Sequence, residues 1–159
     1  LIENKSFADA KEVLFEFIAN NPKDVRAISL LLECLIETVD ENEVDNFINS
    51  LEDEIKKNKE IIKIIKRIEI NKNNKSGPPI EDLVKQLKNS PNNIEIVTDL
   101  SNKYFASNNY DDAFEILLVN YPKNKEIVKK KMVDFFEALG EGNEKTILYR
   151  KKLSSIMFS

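Results

Sequence analysis

No histidine and no tryptophan occur in this chain of 159 residues, and cysteine occurs once, at Cys34. Without histidine there is no Ser-His-Asp triad, no imidazole general base and no imidazole metal ligand. A lone cysteine excludes an intrachain disulfide, a Cys-x-x-Cys redox pair and a thiolate zinc site. Three glycines and five prolines are too few for the turns of a strand-rich fold or for a phosphate-cradling loop. No apolar run approaches the roughly 20 residues of a membrane helix. A net charge of −4 argues against a nucleic-acid partner, because phosphate neutralisation supplies most of that affinity. The chain opens on Leu1 with neither an initiator methionine nor a signal peptide, so it reads as a piece of a longer, cytoplasmic protein. Neither a cofactor, nor a metal, nor an enzymatic activity is expected.

What remains is apolar periodicity. Apolar residues make up 42% and charged residues 33%, enough for a packed core. The spacing is helical nearly throughout. Phe7, Ala10, Leu14, Phe17 and Ile18 share one face of a first helix, ended by Pro22. Asp24 is placed to cap a second, with Ile28, Leu31, Leu32, Leu35 and Val39 inward. Asp40 is placed to cap a third, carrying Val44, Phe47, Ile48, Leu51 and Ile55. Ile61, Ile62, Ile64, Ile65 and Ile68 mark a short fourth. Residues 71–79, Asn-Lys-Asn-Asn-Lys-Ser-Gly-Pro-Pro, contain no apolar side chain and read as an exposed linker. Beyond it come helices on Ile80, Leu83, Val84 and Leu87, then on Ile94, Val97, Leu100, Tyr104 and Phe105. Another carries Ala113, Phe114, Leu117 and Leu118. A long one bears Ile127, Val128, Met132, Phe135, Phe136 and Leu139, closed by Gly140. The last holds Ile147, Leu148, Leu153, Ile156 and Met157. The expectation is all-α, about nine helices joined as antiparallel hairpins.

The hairpins repeat. Ala10, Leu14 and Phe17 recur 34 residues later as Val44, Ile48 and Leu51. The turn Asn20-Asn21-Pro22-Lys23-Asp24 recurs as Asn89-Ser90-Pro91-Asn92-Asn93 and as Asn120-Tyr121-Pro122-Lys123-Asn124. Tyr104, Asn108 at a turn, Ala113 and Leu117 form a third copy; the second lacks the turn glycine and has Lys56 where proline is expected. Helix pairs of this period resemble tetratricopeptide repeats, which stack because each hairpin is too small to bury its own apolar face. The resemblance implies a short solenoid. Residues 1–70 would form degenerate repeats, the first lacking its leading helix, and residues 80–159 a second set.

The C-terminal half carries a closer resemblance. Asp111-Asp112-Ala113-Phe114-Glu115-Ile116-Leu117-Leu118 precedes Lys130-Lys131-Met132-Val133-Asp134-Phe135-Phe136-Glu137-Ala138-Leu139-Gly140. Then follows Tyr149-Arg150-Lys151-Lys152-Leu153-Ser154-Ser155-Ile156-Met157-Phe158. This order resembles the C-terminal region of the bacterial thioredoxin–tetratricopeptide fusion proteins, the chaperedoxins. The resemblance implies an N-terminal thioredoxin-like domain outside this chain. It also implies a holdase that keeps unfolded or oxidised protein clients soluble and hands them to a GroEL-type chaperonin, with the C-terminal end as the docking element.

Projection of the repeat onto the chain places Arg26, Ser29, Glu33 and Glu37, and then Glu95, Thr98, Asn102 and Phe105, along a partner-binding groove. One arginine among acidic residues does not make a clamp for a carboxylate. The groove is then either a seat for a client segment or a solvated face. At the C-terminus Tyr149, Leu153, Ile156 and Met157 can share a face, with Arg150, Lys151 and Lys152 as a charged rim and Phe158 beyond; these residues either dock a partner or cap the last helix. Residues 1–70 carry a net −6 and residues 71–159 a net +2. The basic excess at Lys123, Lys125, Lys129, Lys130, Lys131, Lys145 and 150–152 reads as a steering surface or as a solvated face. Cys34 reads as a structural thiol, and Asp111-Asp112 as helix N-terminal charges rather than an acid/base pair. Two other functions stay open: a scaffold for one dedicated partner, and an accessory domain of a thioredoxin-type disulfide oxidoreductase.

Overall fold

The apolar stripes fold as helices. The computed structural model describes residues 7–37 and 41–159, without the side chains of Phe7, Ala8 and Glu37. Val39 and Asp40 lie outside the described residues. Ten helices and no strand occur among those described: α1 Phe7–Asn20, α2 Val25–Glu37, α3 Glu41–Ser50, α4 Asp53–Lys56, α5 Lys59–Lys75, α6 Ile80–Asn89, α7 Ile94–Ala106, α8 Tyr110–Asn120, α9 Lys125–Leu139 and α10 Glu144–Met157. The chain divides into two compact units, Leu1–Ile65 and Lys66–Ser159, so the division falls inside α5.

In the first unit α1 and α2 form an antiparallel hairpin around Pro22. Asp24 Oδ1 accepts from the Ala27 backbone N–H at 2.9 Å, which satisfies a free donor in the first turn of α2. Ile28, Leu31, Leu32 and Leu35 are fully buried, as the stripe requires. Cys34 is buried beside them, and burial, with Glu33 adding to it, raises its pKa above that of an ordinary thiol. Phe15 meets Phe47 of α3 edge-on at 5.7 Å, and Lys11 pairs with Glu43 at 2.6 Å. Phe17 corrects the expected inward face: it is 46% exposed, because Ile18, one position round the helix, occupies the packing site. The expected third helix is two. Ser50 Oγ donates to the Phe47 carbonyl at 2.7 Å, which competes with helix continuation, and Glu52 is extended, with ψ 148°. This break accounts for the tenth helix.

The polar stretch 71–79 is also not all loop. α5 continues through Lys75, and the loop shrinks to 76–79, where Gly77 has φ +93° and two prolines follow. The reason is tertiary. Ile68 and Ile70 are buried, and Lys103 Nζ from α7 donates to the Asn74 carbonyl at 2.9 Å, holding the polar last turn in helical form.

In the second unit α8 packs on α7, α9 and α10, while α7 touches α6 and α9. α7 and α9 thus form one layer, α8 and α10 the other. Aromatic rings fill the space between. Phe114 of α8 stacks on Phe136 at 5.3 Å and on Tyr149 at 4.5 Å, and Phe105 stacks on Phe135 at 4.3 Å. Ala113 is fully buried, which suits the small residue of a close helix contact. The α7–α8 turn sits on Asn108 with φ 63°, a left-handed conformation that asparagine tolerates in place of glycine. Asn93 Oδ1 caps α7 by accepting from Glu95 and Ile96, and Asn143 Oδ1 caps α10 by accepting from Lys145. Gly140, with φ 90°, closes α9.

Candidate functional site

The expected groove residues fall into three groups. Arg26, Glu33 and Glu95 are exposed. Ser29 and Thr98 are half-buried, and each hydroxyl donates to its own helix, to the carbonyls of Val25 at 2.8 Å and Glu95 at 2.9 Å. The Glu37 side chain lies outside the described residues. Asn102 and Phe105 are corrections, because each is only 6% exposed. The Phe105 ring is held between Tyr110 and Phe135, and Asn102 Oδ1 accepts from Lys131 Nζ at 3.1 Å. α9 covers these positions, so neither side chain is open to a partner. Lys131 itself is largely buried. Desolvation lowers its pKa, opposed by the carboxylates of Asp134 and Asp99. Asp134 also pairs with Lys66 at 3.2 Å.

The C-terminal residues also separate. Tyr149 and Leu153 are 2% and 6% exposed and belong to the core, a second correction: they hold α10 down rather than reach outward. Tyr149 Oη donates to Asp111 Oδ1 at 2.9 Å and to Glu115 Oε1 at 3.2 Å. Burial, then the bond to Asp111, raises the Tyr149 pKa, while Lys145 and then Tyr149 hold the Asp111 carboxyl below its ordinary value. Lys145 pairs with Asp111, Lys152 pairs with Glu115, and Arg150 lies over the Phe136 ring at 5.4 Å. Much of the expected basic surface is therefore spent inside the chain. Lys125, Lys129, Lys130 and Lys151 remain exposed. Past Leu153 the character changes. Ile156 and Met157 are each 37% exposed and Phe158 is 87% exposed.

Two shallow depressions lie along α8, of about 560 Å³ and 410 Å³. They share Glu115 and Val119. The first adds Leu87, Tyr104, Asp112 and Ile116, and the second adds Leu118, Ser155 and Ile156. Val119 is 76% exposed between them. Val119 lies off the α8 stripe of Ala113, Phe114, Leu117 and Leu118, and an apolar residue off the stripe is the sequence signal for this surface. Among the described residues no group of three or more acidic or cysteine side chains is arranged to hold a metal ion, and no helix is long and apolar enough to cross a membrane.

Comparison with known proteins adds the family. No curated protein matches the chain. Among solved structures, a domain of protein VP0806 from Vibrio parahaemolyticus, of unknown function, is similar: 25% identical, covering 94% of this chain and 90% of that one, with a TM-score of 0.45. A tetratricopeptide repeat family model matches residues 73–158, more than half of the chain. That stretch holds α6 to α10 with the Asn108 turn, the buried Ala113 and the proline turns at Pro91 and Pro122. The chain belongs to the tetratricopeptide-repeat family, whose domains are protein–protein interaction scaffolds.

Proposed function

We propose that this scaffold is the non-enzymatic interaction domain of a chaperedoxin-like holdase, which binds unfolded or oxidised clients and passes them to a GroEL-type chaperonin. On this reading the domain follows a thioredoxin-like domain in a cytoplasmic protein. The observation that carries the reading is the contrast along α10. Tyr149 and Leu153 fix the helix to α8 and α9, whereas Ile156, Met157 and Phe158 stand exposed at its end. Three adjacent apolar side chains on a rigid support suit a docking element, since a few desolvated anchors carry most of the energy of an interface. The depressions beside Val119 offer a client a second apolar contact with polar edges. Aggregation of a chemically unfolded client, followed by light scattering with and without the protein, tests the holdase role. Suppression at near-stoichiometric amounts, together with capture by a GroEL-type chaperonin, is the expected result. Unchanged aggregation and no chaperonin binding would leave a scaffold for some other partner. Turnover in an insulin-reduction assay would contradict the non-enzymatic reading.

A further inference from the structure

The outer face of α10 carries a pattern that reads the same from either end except for the sign of its charges. Its inner face spends Thr146, Tyr149 and Leu153 on the core. On the opposite side Ile147 is 60% exposed and Leu148 is 43% exposed. Glu144 stands three residues before Ile147 and Lys151 three residues after Leu148, both exposed. Seven residues are close to two helical turns, so Glu144 and Lys151 lie on one face, roughly 10 Å apart. The other cations of this helix are engaged: Lys145 with Asp111, Lys152 with Glu115, Arg150 on the Phe136 ring. Glu144 and Lys151 form no ion pair among the described residues.

We propose that a second copy of this chain packs its α10 on this face, antiparallel, about a two-fold axis passing between Ile147 and Leu148. That operation sets each Glu144 against the Lys151 of the other copy and each Ile147 against the other Leu148. A two-fold contact must be self-complementary, and this order of charge, apolar pair and opposite charge satisfies that condition without any change of side chain. A parallel arrangement would set like charges together, which costs affinity. Beyond Lys151 the face narrows to Ser154 and Ser155, leaving room for the other copy's turn around Gly140. The contact is centred on Ile147 and Leu148 and does not use Ile156 and Met157, which lie on other sides of α10.

Sedimentation of the full chain over about a hundredfold range of concentration reads the equilibrium by mass action. The wild type is expected to pass from monomer to dimer. Lys151→Glu alone and Glu144→Lys alone should each weaken the dimer about tenfold or more, because each creates two like-charge contacts across the axis. The double variant Glu144→Lys/Lys151→Glu should regain it, since the pairs are restored with the signs exchanged. Helical circular dichroism of all three confirms that they fold. A wild type that stays monomeric throughout would overturn the proposal and leave the face to a different protein. A dimer indifferent to the single reversals, or a double variant no tighter than the singles, would overturn it as well.

Discussion

Tyr149→Phe removes one oxygen atom and tests how the last helix is held. The Tyr149 ring is 2% exposed and stacks on Phe114 at 4.5 Å, so phenylalanine keeps the packing. What is lost is the hydroxyl that donates to Asp111 at 2.9 Å and Glu115 at 3.2 Å. A hydrogen bond to a charged acceptor contributes about 1.5–3 kcal/mol. Both carboxylates here face water and keep their lysines, so neither is stranded, and the lower end applies: about 1.5 kcal/mol. With urea slopes of about 1–3 kcal/mol per molar, the midpoint should fall by roughly 0.5–1.5 M. In a background of Asp111→Ala and Glu115→Ala the same change should cost much less, which assigns the loss to these bonds. The pH dependence carries a sign. The Tyr149 pKa is raised in the folded protein, first by burial and then by Asp111. The unfolded phenol ionises near pH 10, so the wild-type advantage over Tyr149→Phe is complete below that pH and shrinks as pH rises through it. An unchanged urea midpoint, or an advantage that grows above pH 10, would refute the argument.

Other perturbations test the packing and the turns. Ala113→Leu inserts bulk where no space exists and should cost about 1–3 kcal/mol by urea denaturation. Thr146 is fully buried with its hydroxyl unpartnered, so Thr146→Val should raise stability, by up to about 1–2 kcal/mol, in the same assay. Because α5 runs to Lys75 and residues 75–79 are exposed, trypsin should cut after Lys75 well before Lys72, read by mass spectrometry of early fragments. The folded Asp111 pKa is lowered by Lys145 and then Tyr149. Its contribution should therefore be present above about pH 4 and fade as pH falls, an effect that Asp111→Asn abolishes.

The α-helical class, the hairpin turns and the cap at Asp24 were legible because each rests on local chemistry: an apolar period, a proline, an oxygen in reach of a free N–H. Asn108 was legible as a turn residue for the same reason. Places where the sequence misled are those where a distant residue decides. The tail of α5 reads as loop by composition, and Lys103 makes it helix. Phe105 and Asn102 sit at positions a groove would use, but α9 supplies Phe135 and Lys131 and closes over them. Tyr149 and Leu153 share a face with Ile156 on a helical wheel, yet the first two are buried and Ile156 is 37% exposed, at the rim of the depression beside Leu118 and Val119 of α8. No one-dimensional pattern records how closely a neighbouring helix covers each turn of such a face.

The central claim, that the end of α10 is a docking element on a rigid scaffold, is tested most directly by chaperonin affinity with and without residues 154–159. Deletion removes Ile156, Met157 and Phe158, all exposed, and leaves Tyr149 and Leu153 in the core. Losing such an anchor typically costs about 2 kcal/mol or more, so binding to a GroEL-type chaperonin should weaken at least tenfold while the helical signal and melting temperature stay close to those of the full chain. Equal affinity for the two forms, or an affinity that falls only in step with lost folded protein, would contradict it.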